Sequence, residues 1–214
     1  MILVGQYDSP YVRRVAISLH LLGIPFERNT LSVFADAEAM RRINPLGRIP
    51  SLVLDDDETL IDSGAILDYL DDAVGPERAL VPARGPTRRR ALRVIALATG
   101  AMDKVGATVY ERFLRPPERQ HEPWLERCRT QLATALAALE AETADGGDGY
   151  LGARTMQPDI TVACLVFHVQ LRTPESFAAA RYPRLARLAD RLEATPEFAA
   201  TRPAADEKMP DRPL

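Results

Sequence analysis

The segment from residue 44 to residue 66 constrains the fold of this chain more than any other. It reads NPLGRIPSLVLDDDETLIDSGAI. Its opening Asn-Pro-Leu-Gly is typical of a turn, because proline fixes φ and glycine can adopt a positive φ. Two short apolar runs, Ser51–Leu54 and Thr59–Ile61, flank four acidic residues and predict a β-hairpin. Apolar residues then recur at helical spacing after Asp62 and Ser63, which predicts a helix with Ser63 as its N-cap.

Two positions in this segment indicate a binding site. Pro50 stands directly before a strand and has no N–H to donate to the sheet, so the backbone there must be unusual. We expect a cis Ile49–Pro50 bond, with the N–H and C=O of Ile49 facing a ligand. The helix start at Asp62 and Ser63 offers backbone N–H groups that favour a carboxylate or a phosphate. An extended backbone beside an anion-binding helix start suits a short peptide with a free carboxylate.

The rest of the chain divides into two parts with different patterns. Before the segment, a short apolar strand, a helix ended by Gly23, a second strand and a weaker helix follow one another. This order, completed by the hairpin and its helix, resembles the thioredoxin-like fold. A stretch rich in proline and glycine between residues 75 and 86 is typical of a linker, and helical spacing continues beyond it. We therefore predict an α/β thioredoxin-like N-terminal domain over residues 1–77 and an all-α helical C-terminal domain over residues 86–205.

Three local features of the second part carry separate expectations. The run Asp145–Gly149 contains three glycines and predicts a loop. Asp159 opens a long apolar helix, where we expect a structural role. The segment from Arg202 onward is polar and rich in proline, so we expect it to be loosely held.

Composition argues against several classes of partner. The formal net charge is −3, which favours neither nucleic acid nor an anionic membrane as a partner. No apolar run approaches the roughly 18 residues of a membrane span. The first residues lack the pattern of a secretory signal, and Cys128 and Cys164 form neither a disulfide framework nor a metal motif. We expect a cytoplasmic protein without a metal.

The motifs R-I-P-S-L at 48–52 and I-D-S-G-A-I at 61–66 are similar to the glutathione-binding half of the glutathione transferases. The chain as a whole resembles the serine-type bacterial members of that family. The resemblance implies a homodimer that uses glutathione as co-substrate, without a metal, on a small electrophilic substrate. It implies that Ser63 holds the γ-glutamyl carboxylate, that Asp62 takes the α-amino group, and that the Ile49 backbone pairs with the cysteinyl part. Without a ligand, Asp62 and Ser63 would be only a capping pair.

The run Ser9-Pro10-Tyr11-Val12 occupies the place where thioredoxin-like proteins carry a Cys-x-x-Cys pair. Neither cysteine is present, so this chain cannot form that disulfide. The resemblance implies instead that the Ser9 hydroxyl donates to the sulfur of bound glutathione. Two alternatives remain open: Ser9 is also a good N-cap before a proline, and Tyr7 competes for the role of thiolate donor.

The remaining implied residues have weaker signals. Arg48 either reaches the glycyl carboxylate or faces water. Asp103 either approaches the glutathione bound by a partner subunit or is a plain surface residue. Tyr11, Tyr110 and Phe113 are expected to line the second-substrate cleft. The implied glutathione-binding set is Ser9, Arg48, Ile49, Pro50, Asp62, Ser63 and Asp103, with Ser9 as the catalytic residue.

One departure from the family pattern concerns the helix that contains Asp159. The family has a serine or threonine three residues before this aspartate, forming a capping box. Here that position is Met156, and Thr155 lies one residue earlier. Either the capping position has shifted to Thr155, or half of the capping box has been lost.

Several functions start from the same thiolate. Conjugation to an electrophile, thiol-dependent peroxide reduction and dehalogenation are all compatible with the sequence. An alternative is a non-catalytic protein of this fold that acts as a regulatory or protein-interaction module; retention of the glutathione-binding residues argues against it. The absence of cysteine at positions 9 and 12 argues against a cysteine-type disulfide reductase.

Overall fold

The structure is a computed structural model that describes residues 1–143 and 149–207. The chain separates into two compact units. The first comprises residues 1–83 together with the segment that begins at Ala194, and the second comprises residues 84–193.

The first unit contains the strands β1 (Ile2–Val4), β2 (Glu27–Asn29), β3 (Ser51–Val53) and β4 (Thr59–Leu60). They form a four-stranded sheet in the order β2-β1-β3-β4. β1 is parallel to β2 and antiparallel to β3, and β3 pairs antiparallel with β4. Three helices accompany the sheet. They are α1 (Pro10–Leu22), α2 (Ala37–Ile43) and α3 (Ser63–Val74).

The core of this unit follows from the apolar pattern of its strands and of α1. Leu3 and Leu52 face each other across β1 and β3, and both are fully buried. α1 packs against α3 and buries most of its length. Gly23 ends α1 in the left-handed conformation, as predicted, with φ of 65°.

The second unit is helical and contains α4 (Gly85–Leu114), α5 (Glu122–Glu142), α6 (Gln157–Arg172) and α7 (Pro183–Glu193). α6 is its centre, since nearly all its residues from 157 to 169 are buried and it packs against α4 and α7. Two short 3-10 turns, Pro117–Arg119 and Pro174–Ser176, connect the longer helices.

The segment after α7 returns to the first unit. It contains a short helix, α8 (Pro196–Ala199), whose Phe198 is 1% exposed and packs on α1. The sequence-based division had instead placed residues up to 205 in the helical domain. Fully buried Arg13 of α1 explains the difference, because its Nε donates to the Thr201 carbonyl at 3.1 Å and its Nη2 to the Phe198 carbonyl at 3.1 Å.

The prediction of a thioredoxin-like α/β part followed by a helical part is confirmed. Most of the predicted loop at 145–149 and the end of the predicted loose segment, 208–214, lie outside the described residues. Within 1–143 and 149–207, no helix is both long and apolar enough to span a membrane. The same residues contain no group of three or more histidine, cysteine or acidic side chains placed to hold a metal.

Candidate functional site

Ser9 stands at the start of α1. Ser9 is the N-cap of this helix, and its Oγ accepts the Val12 N–H at 3.5 Å. Pro10 occupies the first helical position, where a missing N–H costs nothing. A hydroxyl has one proton to donate besides its acceptor lone pairs. Capping therefore leaves the half-buried Ser9 able to donate to a ligand.

Tyr7 lies in the turn that leads into Ser9. The Ser9 N–H donates to the Gln6 carbonyl at 3.2 Å, which closes this turn. The Tyr7 side chain is 4% exposed, and the Arg28 guanidinium lies 3.3 Å from the centre of its ring. Burial raises the pKa of the Tyr7 phenol, the Arg28 charge lowers it and the Glu207 charge raises it. Tyr7 is thus held within the fold.

The Ile49–Pro50 peptide bond is cis, as the sequence predicted. The turn before it is held by Asn44, which is 2% exposed. The Asn44 side chain donates to the Arg48 carbonyl at 2.8 Å and accepts the Leu46 N–H at 3.0 Å. Gly47 has a positive φ of 59°, in agreement with the predicted turn.

Around this turn, the Arg48 side chain is exposed and Ile49 is half-buried. Across residues 1–143 and 149–207, no hydrogen bond engages the N–H or the C=O of Ile49. The backbone of Ile49 therefore has hydrogen-bonding capacity for an extended peptide.

Gly5 connects the Ser9 loop to Ile49. A Cβ at this position would lie 2.7 Å from Val12 Cγ2 and 2.9 Å from Ile49 Cβ, and the φ of Gly5 is +134°. Only glycine fits both the space and the conformation. The absence of a side chain allows the end of β1, Val12 in the first turn of α1 and the Ile49 side chain to pack together.

The start of α3 differs from the prediction in one respect. The N-cap is Asp62, not Ser63, and its Oδ1 accepts the Gly64 N–H at 2.8 Å. The cap lies one residue earlier because Ser63 already has helical geometry and its side chain turns inward, where it is 2% exposed. The peptide bond between Ile61 and Asp62 is cis as well.

Arg14 of α1 was missed by the sequence reasoning and is the main partner of Ser63. Its Nε and Nη2 donate to Ser63 Oγ at 3.2 and 2.8 Å, and the Arg14 side chain is 4% exposed. Both acceptor lone pairs of the Ser63 hydroxyl are then engaged, so only its proton remains for a further hydrogen bond. The one available signal was a pair of arginines, 13 and 14, inside the apolar repeat of α1.

The structure connects some of the predicted residues through direct contacts and leaves others apart. α1 carries Ser9 at its start and joins Ser63 through Arg14, and it meets Ile49 at Gly5. Tyr11 is half-buried, and its ring centre lies 6.0 Å from the Arg14 guanidinium. The residues predicted from the helical part lie on α4 of the second unit: Asp103 and Tyr110 are exposed and Phe113 is half-buried.

Comparisons with known proteins agree with this architecture. Residues 3–78 match the family model of the glutathione S-transferase N-terminal domain, and residues 122–191 match that of the glutathione S-transferase C-terminal domain. The GST-like protein YibF of Escherichia coli (strain K12) is 33% identical over 210 residues, which cover 95% of this chain and 98% of YibF.

Two further proteins resemble the chain over its whole length. Maleylacetoacetate isomerase of Pseudomonas aeruginosa is 30% identical over 224 residues, which cover 100% of this chain and 99% of the isomerase. A crystal structure of a glutathione S-transferase from Methylobacterium radiotolerans, in complex with glutathione sulfonate, superposes with a TM-score of 0.91. Its sequence is 34% identical, and the match covers 100% of this chain and 99% of that one. The chain belongs to the glutathione S-transferase family.

Proposed function

We propose that this protein is a glutathione transferase that binds glutathione on its first unit and activates the sulfur with Ser9. The observation that carries the proposal is the pair of hydroxyls at two helix starts. Ser9 and Ser63 both accept hydrogen bonds from the protein and keep a proton to donate to a ligand. The similar Methylobacterium radiotolerans enzyme, crystallised with glutathione sulfonate, supports glutathione as that ligand.

The start of α3 is the proposed subsite for the γ-glutamyl carboxylate. The first N–H groups of a helix lack intrahelical partners and attract anions. A carboxylate hydrogen-bonded to Ser63 would bring its negative charge close to the buried Arg14 guanidinium. Charge-assisted hydrogen bonds are about twice as strong as neutral ones. The exposed carboxylate of Asp62 is available to the α-amino group next to it.

The Ile49 backbone is the proposed partner of the cysteinyl part. Its N–H and C=O can pair with an extended peptide as a neighbouring strand would. Arg48, exposed on the adjacent turn, is the candidate for the glycyl carboxylate. A tripeptide held at three points in this way presents its sulfur to the start of α1.

A hydrogen bond from Ser9 is strong enough to lower the pKa of the glutathione thiol toward neutrality. A thiol with an ordinary pKa of about 8.5 is only about 3% ionised at pH 7. A hydrogen bond to a charged group contributes roughly 1.5–3 kcal/mol, which corresponds to about one to two pKa units. The start of α1 adds a smaller contribution of the same sign. The protein then needs a donor aimed at the sulfur and no general base.

The burial of Tyr7 supports Ser9 as the donor. Tyr7 is 4% exposed beneath the Arg28 guanidinium, and burial raises the pKa of its phenol. Ser9 is half-buried at the open start of a helix. Of the two candidates, Ser9 is the one a thiolate can approach without rearrangement of the loop.

The test is calorimetric titration of glutathione together with the ultraviolet absorbance of the bound thiolate as a function of pH. We expect the wild type to bind and to form the thiolate about one to two pH units below free glutathione. Ser9→Ala should bind glutathione and lose this shift, while Ser9→Thr, which keeps a hydroxyl, should retain most of it. Tyr7→Phe is the matched control for the competing donor. No binding at millimolar glutathione, or a lost shift in Tyr7→Phe with a normal one in Ser9→Ala, would overturn the proposal.

A second candidate reaction is favoured by the similarity to maleylacetoacetate isomerase. A thiolate that adds to an activated carbon–carbon double bond permits rotation about that bond, and its elimination restores the double bond in the other geometry. Conjugation consumes one glutathione per product, whereas isomerisation returns it. Measuring free thiol during turnover of a cis-configured conjugated diacid therefore separates the two reactions.

The expectations for the second unit complete the proposal. We propose a homodimer in which Asp103 approaches the glutathione of the partner subunit, and we propose Tyr11, Tyr110 and Phe113 as contacts of the electrophile. Asp103→Asn should weaken glutathione binding without changing the oligomeric state measured by light scattering. Tyr110→Ala and Phe113→Ala should lower kcat/KM for the electrophile and leave the Kd of glutathione unchanged.

A further inference from the structure

The carboxylate of Glu207, the last described residue, contacts the turn that carries Ser9. Glu207 Oε2 accepts the Tyr7 N–H at 2.6 Å, and the same carboxylate pairs with Arg28. Glu207 is 5% exposed and Tyr7 is 4% exposed. The Arg28 guanidinium in turn lies over the Tyr7 ring, 3.3 Å from its centre. The Glu207 carboxylate, 200 residues away in sequence, thus holds the backbone of Tyr7. The Arg28 guanidinium, 21 residues away, holds its side chain.

The geometry of the turn explains why Tyr7 needs this partner. The turn is closed by the hydrogen bond from the Ser9 N–H to the Gln6 carbonyl, which leaves Tyr7 as its second residue. The N–H of that residue has no partner inside a β-turn. A buried N–H without an acceptor is destabilising, so an acceptor from outside the turn stabilises this conformation.

The segment that carries Glu207 is held by hydrogen bonds of its own, and the chain from residue 198 to residue 207 contacts residues before and after Ser9. The Glu207 N–H donates to the Ala204 carbonyl at 3.1 Å, and Glu207 Oε1 accepts the Ala204 N–H at 3.2 Å. Further back, the carbonyls of Phe198 and Thr201 accept from Arg13. Arg13 follows Ser9 by four residues, and Tyr7 precedes it by two. The expectation that the segment from Arg202 is loosely held is therefore wrong at Glu207, which is buried and bonded to Tyr7 and Arg28.

We infer that Glu207 is a positioning residue for thiolate activation: by holding the Tyr7 N–H, it fixes the turn that aims the Ser9 hydroxyl at the glutathione sulfur. The inference rests on the proposed function of Ser9. Glu207 does not touch the reacting atoms, and it acts through the conformation of residues 6–9. A displacement of about 1 Å at a reacting group can cost on the order of a hundredfold in rate, so a support of this kind affects the chemistry.

The test compares two ligands that differ only at sulfur. Glutathione reports the thiolate through its absorbance as a function of pH, whereas S-methylglutathione has no thiol and reports the binding contacts alone. In Glu207→Ala we expect the pH midpoint of the thiolate to rise by about one unit, which is about a tenfold loss of thiolate at a pH well below both midpoints. The Kd of S-methylglutathione should stay within about threefold of the wild type. Glu207→Gln keeps an oxygen acceptor for the Tyr7 N–H. Its pH midpoint should lie between those of the wild type and Glu207→Ala.

Asp206→Asn is the matched control, because Asp206 is the adjacent acid and is exposed. It should keep the wild-type midpoint. A wild-type midpoint in Glu207→Ala overturns the inference, and so does an equal loss of affinity for both ligands, which would indicate a purely structural role. If Glu207→Ala does not fold, the shift in Glu207→Gln decides between the same outcomes. Failure of the proposed function looks different, since the wild type itself would then show no lowered midpoint.

Discussion

The starts of α6 and α3 use an aspartate in opposite ways. At the start of α6, Asp159 is fully buried, and its two oxygens accept the Tyr150 N–H at 2.7 Å and the Met156 N–H at 2.8 Å. At the start of α3, Asp62 is exposed and accepts the Gly64 N–H at 2.8 Å. At α6, backbone N–H groups of the protein engage both oxygens of the aspartate. At α3, the exposed carboxylate remains accessible to a ligand.

A capping motif therefore does not by itself indicate a ligand site. Met156 is the N-cap of α6, so the capping position has not shifted to Thr155. The Asp159 carboxylate still binds the N–H of that N-cap, although the serine or threonine of the family pattern is missing. At α3, Ser63 is turned toward Arg14 within the fold, and the exposed carboxylate of Asp62 stands beside it.

The largest expected effect comes from removing the buried carboxylate. Asp159→Ala leaves two buried backbone N–H groups without an acceptor, each costing about 1–3 kcal/mol, so the free energy of unfolding should fall by about 2–6 kcal/mol. Asp62→Ala removes only an exposed cap and should cost about 1 kcal/mol. Urea unfolding followed by circular dichroism measures both variants. Equal losses would show that the two starts do not differ as described.

A smaller loss is expected where Asp159 approaches the preceding backbone. A Cβ at Gly149 would lie 2.5 Å from Asp159 Oδ1 and 2.8 Å from its Cγ. Overpacking of this kind costs about 1–3 kcal/mol, so Gly149→Ala should lower the midpoint of urea unfolding.

The control for Gly149 is Gly100, which lies within α4 and has open space where the methyl group of an alanine would lie. Gly100→Ala should raise the free energy of unfolding by about 0.5–1 kcal/mol, because alanine is the better helix former. An unchanged midpoint in Gly149→Ala would mean that Asp159 can withdraw without loss.

At the accessible start, the expected effect concerns binding. Arg14→Lys replaces a planar fork that donates twice to Ser63 Oγ by a single ammonium. The loss of about one hydrogen bond near a bound carboxylate should raise the Kd of glutathione about tenfold in calorimetry. Arg42→Lys, on an arginine that is 72% exposed, serves as the control. A wild-type Kd in Arg14→Lys would remove Arg14 from the proposed carboxylate subsite.

The smallest expected effect is a dependence of stability on pH. Burial raises the pKa of the Asp159 carboxyl in the folded protein, while the N–H groups of Met156 and Tyr150 and the charge of Arg191 lower it. With a net raised pKa, the folded state retains a proton that the unfolded state has lost. The stabilising contribution of Asp159 should therefore be full below the unfolded pKa of about 3.9 and decline as pH rises through the folded pKa.

Asp159→Asn cannot titrate, so the difference in unfolding free energy between wild type and this variant isolates the effect. Urea unfolding at a series of pH values from about 4 upward should give a difference that shrinks with rising pH and then levels off. A difference that grows with pH would mean that the hydrogen bonds and Arg191 outweigh burial.

Local patterns predicted the features that depend on a few neighbouring residues. The hairpin of β3 and β4, the turn at Gly47, the end of α1 at Gly23 and the cis Ile49–Pro50 bond are all present. Each of them is specified by turn residues or apolar spacing within a short stretch of chain. The N-cap of α3 was wrong by one residue, because sequence spacing does not reveal which side chain of the Asp62-Ser63 pair turns inward.

The sequence by itself determined the order of the elements, the α/β part before the helical part and the supply of hydroxyls, carboxylates and guanidinium groups. Only the tertiary structure decided which of these groups meet. Arg14 and Ser63 are 49 residues apart, and Tyr7 and Glu207 are 200 residues apart. Periodicity records which face of an element is buried, whereas a polar pair formed across the fold depends on how separate elements pack, and so it leaves no local pattern to find.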